Sequence, residues 1–207
     1  LEVGANDGIQ QSNTHQLQVQ KGWRGILIEP APSAFEKCKV NRGPNNIYEQ
    51  CVLSNPQNEG TEIYGDFDGD LRASVDAKNW GINNCRLPNQ KVVCRTLGSI
   101  LNQHNVTDID LMSIDVEGHE IDVINGMDFT YCKPKAIVIE VTTANLGTYQ
   151  YSPTTMGLKN VNHIFMLMRE KGYYATQCLS NFTKTNNPMW NEQHQDYLFE
   201  RVYDVWQ

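Results

Sequence analysis

A chain of 207 residues, 40% of them hydrophobic, has room for one full core under a central sheet, so a single domain is expected. A net charge of −7 and a pI near 5.2, with no local basic patch, argue against a nucleic-acid partner. The longest apolar runs are strand-length, so no segment reads as a membrane-spanning helix. The chain opens on Leu1 rather than Met, and only three residues precede Gly4. Further strand residues or another domain are therefore expected upstream, the domain being truncated at its N-terminus or excised from a larger protein.

Strand and helix patterns alternate from end to end. Leu1-Glu2-Val3 is the end of a first strand, and Ser12-Asn13-Thr14 offers caps for a helix that runs to Lys21 and stops at Gly22. Arg24 to Glu29 reads as a buried strand ending at Pro30. Pro32 and Ser33 open a helix that closes at Asn41-Arg42-Gly43-Pro44. Ile47 to Leu53 is read as a third strand and Glu62-Ile63-Tyr64 as a short one. The run Gly65 to Asp70 lacks the distal Glu of an EF-hand and reads as a solvated loop.

Lys91 to Arg95 is a strand and Leu97 to Gln103 a short helix. Ile109 to Ile114 is a core strand that stops at Asp115. Glu120 to Asn125 is a helix stopped by Gly126, and Ala136 to Glu140 a strand ending in a carboxylate. Leu158, Val161, Ile164, Phe165 and Met168 recur at helical spacing, with Gly172 as the stop. Tyr173–Cys178 and Asp196–Val202 close the chain as two strands, the second antiparallel. The pattern predicts a doubly wound, mostly parallel α/β sheet with an antiparallel strand near the C-terminus.

Six scattered cysteines (Cys38, Cys51, Cys85, Cys94, Cys132, Cys178) show no C-x-x-C pair, which favours reduced, buried thiols and a cytoplasmic location. Sequons at Asn105-Val106-Thr107 and Asn181-Phe182-Thr183 keep a secretory location open.

In an open α/β sheet the ligand sits beyond the carboxyl ends of the strands, at the switch point. Leu1-Glu2-Val3-Gly4-Ala5-Asn6-Asp7-Gly8 runs a strand into a turn of small residues. Over a hundred positions later, Ile114-Asp115-Val116-Glu117-Gly118-His119-Glu120 runs another into a carboxylate and a glycine turn. Gly4 and Gly8 let backbone approach a ligand closely. Glu29, 21 residues past Gly8, is placed to accept the two hydroxyls of a ribose. The spacing is G-x-x-x-G, not G-x-G-x-x-G, and no P-loop is present. This favours a nucleoside with an amino-acid tail over a dinucleotide or a nucleoside triphosphate.

Taken in order, Gly4 to Gly8, Gly25-Ile26-Leu27-Ile28-Glu29-Pro30 and Ile114 to Glu120 resemble the successive motifs of FkbM-type methyltransferases, over roughly residues 1 to 142. The resemblance implies a Rossmann-like class I methyltransferase fold, S-adenosylmethionine as donor and transfer to a hydroxyl oxygen. Acceptors in the family are sugars, polyketides and other secondary metabolites, and a sugar hydroxyl of a glycan or glycoside is the expected one here. Glycosyltransferase domains are the expected fusion or working partners.

The resemblance further implies that Gly4, Ala5, Asn6, Asp7 and Gly8 wrap the methionine end, with Asn13 and Thr14 at the helix that follows. Glu29 and Pro30 would lie at the ribose, Cys51 and Val52 near the adenine, and Asp115 close to the sulfonium. Glu2 stands where the family usually has Asp and is expected to perform the same role. At His119 the family often has a small residue, so no catalytic role passes to it by inheritance.

Methyl transfer needs an oxygen aligned with the methyl carbon and an acceptor for one proton. Asp115, Glu117, His119 and Glu140 are the catalytic candidates. Either His119 or a carboxylate is a general base, or Asp115 and Glu140 hold Mg2+ or Mn2+, an arrangement other sugar and catechol methyltransferases of similar fold use. Glu120 reads as a helix-capping acid, and Glu117 divides evenly between capping and function. His15, His104, His163 and His194 have no ligand spacing. Arg72 and Ser74 read by default as solvated loop residues that could contact substrate, and the run 181–195 with Met189 and Trp190 could be a flap over the acceptor site. Two competing readings are a dinucleotide-dependent oxidoreductase and a non-catalytic cofactor-binding module.

Overall fold

The computed structural model describes residues 1–65, 90–142, 156–180 and 194–201. Cys85, Arg72, Ser74, the loop after Gly65, the sequon at Asn181 and the segment with Met189 and Trp190 lie outside them. Among the described residues are ten strands, β1 (Glu2–Val3), β2 (Ile26–Ile28), β3 (Ile47–Glu49), β4 (Val52–Leu53), β5 (Glu62–Gly65), β6 (Gln90–Arg95), β7 (Leu111–Ile114), β8 (Ala136–Thr142), β9 (Tyr173–Cys178) and β10 (His194–Arg201), interspersed with five α-helices. The helices are α1 (His15–Lys21), α2 (Pro32–Arg42), α3 (Leu97–Gln103), α4 (Glu120–Asn125) and α5 (Met156–Glu170).

Seven strands form one sheet in the order β3-β2-β1-β7-β8-β10-β9. β3 through β8 in that order are parallel, whereas β10 runs antiparallel to both β8 and β9. The expected doubly wound sheet with an antiparallel strand near the C-terminus is therefore present. Its core joins Val3, Ile28, Ile114, Ile137 and Ile139 of the strands to Leu97, Ile100, Val123, Ile124, Ile164 and Met168 of the helices. Burying this much aliphatic surface contributes roughly 1.5–3 kcal/mol per side chain.

The third strand departs from expectation. Ile47–Leu53 is not continuous: β3 ends at Glu49, and after Gln50 and Cys51 the chain enters a separate sheet, β4-β6-β5. β4 runs parallel to β6 and β5 antiparallel to it. Cys51 points into the main core, but Val52 packs on Ala31, Ala34, Val92 and Cys94. Seven residues with apolar ends and Glu49-Gln50 between them fit one half-buried strand as well as two short ones, so the pattern alone does not mark the break.

Thiols are buried at Cys38, Cys51, Cys94 and Cys132, while Cys178 on strand β9 is exposed, contrary to the uniform burial expected. Among the described residues no helix is long and apolar enough to cross a membrane.

Candidate active site

The strand register aligns the candidate residues. Val3 pairs with Ile28 on one side and Ile114 on the other, and Ile114 pairs with Ile139. One residue further, Gly4, Glu29, Asp115 and Glu140 stand in a row at the carboxyl edge. Strand order reverses between β1 and β7, so this row spans the switch point.

The first turn is built from tight backbone bonds. Gly4 and Ala5 N–H both donate to the Ile28 carbonyl at 3.0 Å, and Gly8 N–H donates to Ala5 O at 2.8 Å. Gly4 (φ 79°), Asn6 (φ 46°) and Gly8 (φ 81°) all lie in the left-handed region. Asn is the side-chain-bearing residue that tolerates it best. Asp7 Oδ1 accepts from Ile9 and Gln10 N–H at 2.9 and 2.8 Å, and those bonds hold its carboxyl below the ordinary range. Asp7 thus shapes the turn through its own carboxylate.

Glu29 is 7% exposed. Its Oε2 accepts from Asn6 N–H at 2.7 Å and its Oε1 from Ala31 N–H at 2.9 Å. Burial raises its pKa despite those two bonds. Each oxygen keeps a second lone pair for a hydroxyl donor. Pro30 is half-buried between these two anchored positions.

Glu2, Asn13 and Thr14 engage one another from behind the turn. Glu2 Oε2 accepts from Ser12 Oγ (2.9 Å), Thr14 Oγ1 (2.6 Å) and Arg42 Nη1 (3.1 Å), and its Oε1 accepts from Asn13 N–H (2.9 Å). Asn13 Nδ2 reaches across to Ser113 Oγ on β7 at 3.0 Å. Of the expected capping group Ser12-Asn13-Thr14, the Thr14 hydroxyl serves Glu2 instead, whereas Ser12 Oγ accepts the Thr14 and His15 N–H at 3.3 and 3.0 Å at the start of α1. Cys51 and Val52 are buried at 1% and 4% exposure, and burial pushes the Cys51 thiol up to about 12, so it is no nucleophile at neutral pH.

The second turn gathers the acids. One carboxylate oxygen each from Asp115, Glu117 and Glu140 lie within 4.8 Å of one another. Glu117 has φ 53° and Gly118 φ 101°, a conformation that folds Glu117 back over the strand end. Burial, then the charges of Asp115 and Glu117, raise the Glu140 pKa far above the carboxylate range. Three carboxylates this close cannot all ionise without a proton or a cation among them.

Glu120 accepts backbone N–H at the start of α4, as expected of a capping acid, with Oε1 taking the Gly118 N–H at 2.9 Å; it does so while buried under the turn, 3% exposed. Burial pushes its pKa up to about 7, the Asp115 charge adding to the rise and nearby backbone N–H groups opposing it. The only hint in sequence was a third acid within six residues of Asp115. His119, by contrast, precedes α4 with Nδ1 3.4 Å from Asp122 Oδ2, so its ring is engaged on the helix side.

At the opposite end, a cavity of about 420 Å3 opens among the amino ends of β1, β2, β3 and β7, beside Trp23, Ile47 and Ile109. It is remote from every acid of the site.

The sequence model of the methyltransferase FkbM domain matches residues 2–174. The 2-O-methyltransferase NoeI of Sinorhizobium fredii (strain NBRC 101917 / NGR234) is 27% identical over 162 residues, covering 70% of this chain and 64% of NoeI. The chain thus spans somewhat less than two thirds of that relative's length. Among solved structures, the methyltransferase domain of bacterial CtHen1-C is similar with a TM-score of 0.48 at 11% identity, covering 98% of this chain and 88% of that one. The ribosomal protein L11 methylase of Lactobacillus delbrueckii subsp. bulgaricus gives 0.46 at 10% identity, covering 98% and 69%. Membership in a methyltransferase family implies S-adenosylmethionine as the methyl donor. With its family profile matched over residues 2–174, this chain belongs to the FkbM methyltransferase domain family.

Proposed function

We propose that this chain transfers a methyl group from S-adenosylmethionine to a hydroxyl oxygen of a sugar, on a glycan or glycoside. The observation that carries the reading is the convergence of Asp115, Glu117 and Glu140 at the strand edge beside the glycine turn. When bound, S-adenosylmethionine supplies a methyl carbon made electrophilic by its sulfonium. Gly4 to Gly8 take the methionine end, where the absence of a Cβ at the two glycines lets the backbone approach it closely. Glu29 takes the ribose hydroxyls on its two remaining lone pairs. Asp115, one residue past β7, orients the acceptor hydroxyl, and the acidic cluster receives its proton as the C–O bond forms and the methyl C–S bond breaks, S-adenosylhomocysteine being the leaving group. A positioned carboxylate base contributes about 10²–10⁴-fold. NoeI being a 2-O-methyltransferase supports transfer to oxygen.

A second role for the cluster is favoured by its donor set. Three carboxylates suit a hard divalent cation such as Mg2+ or Mn2+, which would supply a Lewis acid at the acceptor hydroxyl. Turnover of S-adenosylmethionine against a panel of monosaccharides, glycosides and hydroxylated polyketides tests the proposal. S-adenosylhomocysteine formation with saccharides is expected; turnover with the polyketides alone would overturn the sugar assignment. Loss of activity in EDTA, restored by Mg2+ or Mn2+, would select the cation role over the simple base.

A further inference from the structure

The residue that shapes the donor turn comes from outside every motif. Arg42 is the last residue of α2, and its side chain is 3% exposed. Its Nη1 donates to Glu2 Oε2 at 3.1 Å, to the Gly8 carbonyl at 3.2 Å and to Ser12 Oγ at 3.2 Å. Its Nη2 donates to Thr14 Oγ1 at 3.0 Å and its Nε to Gln18 Oε1 at 2.7 Å. One planar fork thus ties the first strand, the end of the glycine turn, the approach to α1 and α1 itself to a single point. Packing reinforces the polar ties: a Cβ on Gly8 would lie 2.6 Å from Arg42 Cγ and 2.9 Å from Cys38 Sγ.

We propose that Arg42 is a positioning residue for methyl-donor binding, setting the conformation of residues 8–14 from the rear of the cleft. The inference rests on the reading of the glycine turn as the donor site. A charge partner for Glu2 alone would need one N–H; the remaining contacts all go to the turn and the segment that follows it. A buried ion pair adds little net stability over apolar packing, so its use here is to fix geometry. Lysine keeps the charge but, as a single ammonium on a flexible stem, cannot reproduce the fork.

Arg42→Lys is therefore expected to raise the S-adenosylhomocysteine Kd and the donor KM at least tenfold. The acceptor KM, and kcat at saturating donor, should stay within about twofold. A purely structural role would lower the melting temperature and the active fraction and leave the donor KM of the folded protein unchanged. Ser12→Ala, which keeps the Arg42–Glu2 pair, is the second variant should Arg42→Lys not fold, with a Kd increase of about threefold or more expected. Donor Kd values equal to wild type in the folded variants would overturn the inference. Failure of the wild-type protein itself to bind S-adenosylhomocysteine would overturn the donor-site reading, and the role of Arg42 with it.

Discussion

A Cβ placed on Gly4 would lie 1.9 Å from the carbonyl oxygen of Asp115. The glycine turn and the acidic turn are therefore in backbone contact, and no larger residue fits between them. Asp115 N–H also donates to the Val3 carbonyl at 3.1 Å, so the two turns are tied to each other on both sides of Gly4.

Gly4→Ala is accordingly expected to separate the two turns. At φ 79° alanine adds about 1–2 kcal/mol of backbone strain, before the clash is counted. A displacement near 1 Å costs about 100-fold in transfer rate. Gly118→Ala, where a Cβ would meet nothing within 4 Å, carries only the backbone strain. Thermal melts and initial rates of the two variants check the contrast.

Burial and the Asp115 and Glu117 charges keep Glu140 protonated in the folded protein at pH 8, whereas the unfolded chain ionises it, so replacing this carboxyl should help the fold and harm the reaction. Glu140→Gln is expected to melt at a higher temperature than wild type at pH 8, while kcat falls by about 10²-fold or more. Calorimetry and turnover on the same preparation check both halves.

Glu120 sets a pH dependence of stability. Its folded pKa, about 7, lies above its ordinary value of 4.5. Below pH 4.5 it is protonated in both states and has no effect. From there to pH 7 the unfolded chain releases its proton first, and stability falls as pH rises, by about 3 kcal/mol for this group. Glu120→Gln should flatten the slope between pH 5 and 7 in urea melts. An unchanged slope would show that the buried carboxyl is not the source.

Glu29→Gln keeps one acceptor oxygen but replaces the other with a donor facing the Asn6 or Ala31 N–H. The donor Kd should rise about tenfold, the acceptor KM remaining unchanged. Isothermal titration with S-adenosylhomocysteine reads the first and steady-state kinetics the second.

How legible the site was in the sequence depends on how local each signal is. α3 and α4 begin and end where expected, since Thr96 accepts the Ser99 N–H and Gly126 follows Asn125. Gly4, Glu29 and Asp115 were legible because each follows an apolar strand; Glu140 falls in the same row, although β8 does not end there as expected but continues to Thr142. Arg42 was not, because it looks like any basic residue at a helix C-terminus and its partners lie up to 40 positions away. The capping role of Glu120 was legible but its burial was not, because an acid in a first helical turn reads the same exposed or buried. The split after Glu49 was hidden because a polar Glu49-Gln50 step is ordinary in a half-buried strand, and it is the pairing of Val52 with Cys94 that shows the second sheet.

The most direct test compares Asp115→Asn with the wild-type protein in single-turnover transfer from S-adenosylmethionine to a saccharide acceptor. A variant that folds and binds S-adenosylhomocysteine as wild type does, yet transfers at least 100-fold more slowly, is the predicted result. Wild-type transfer rates in Asp115→Asn would contradict the placement of the acidic turn at the reacting oxygen.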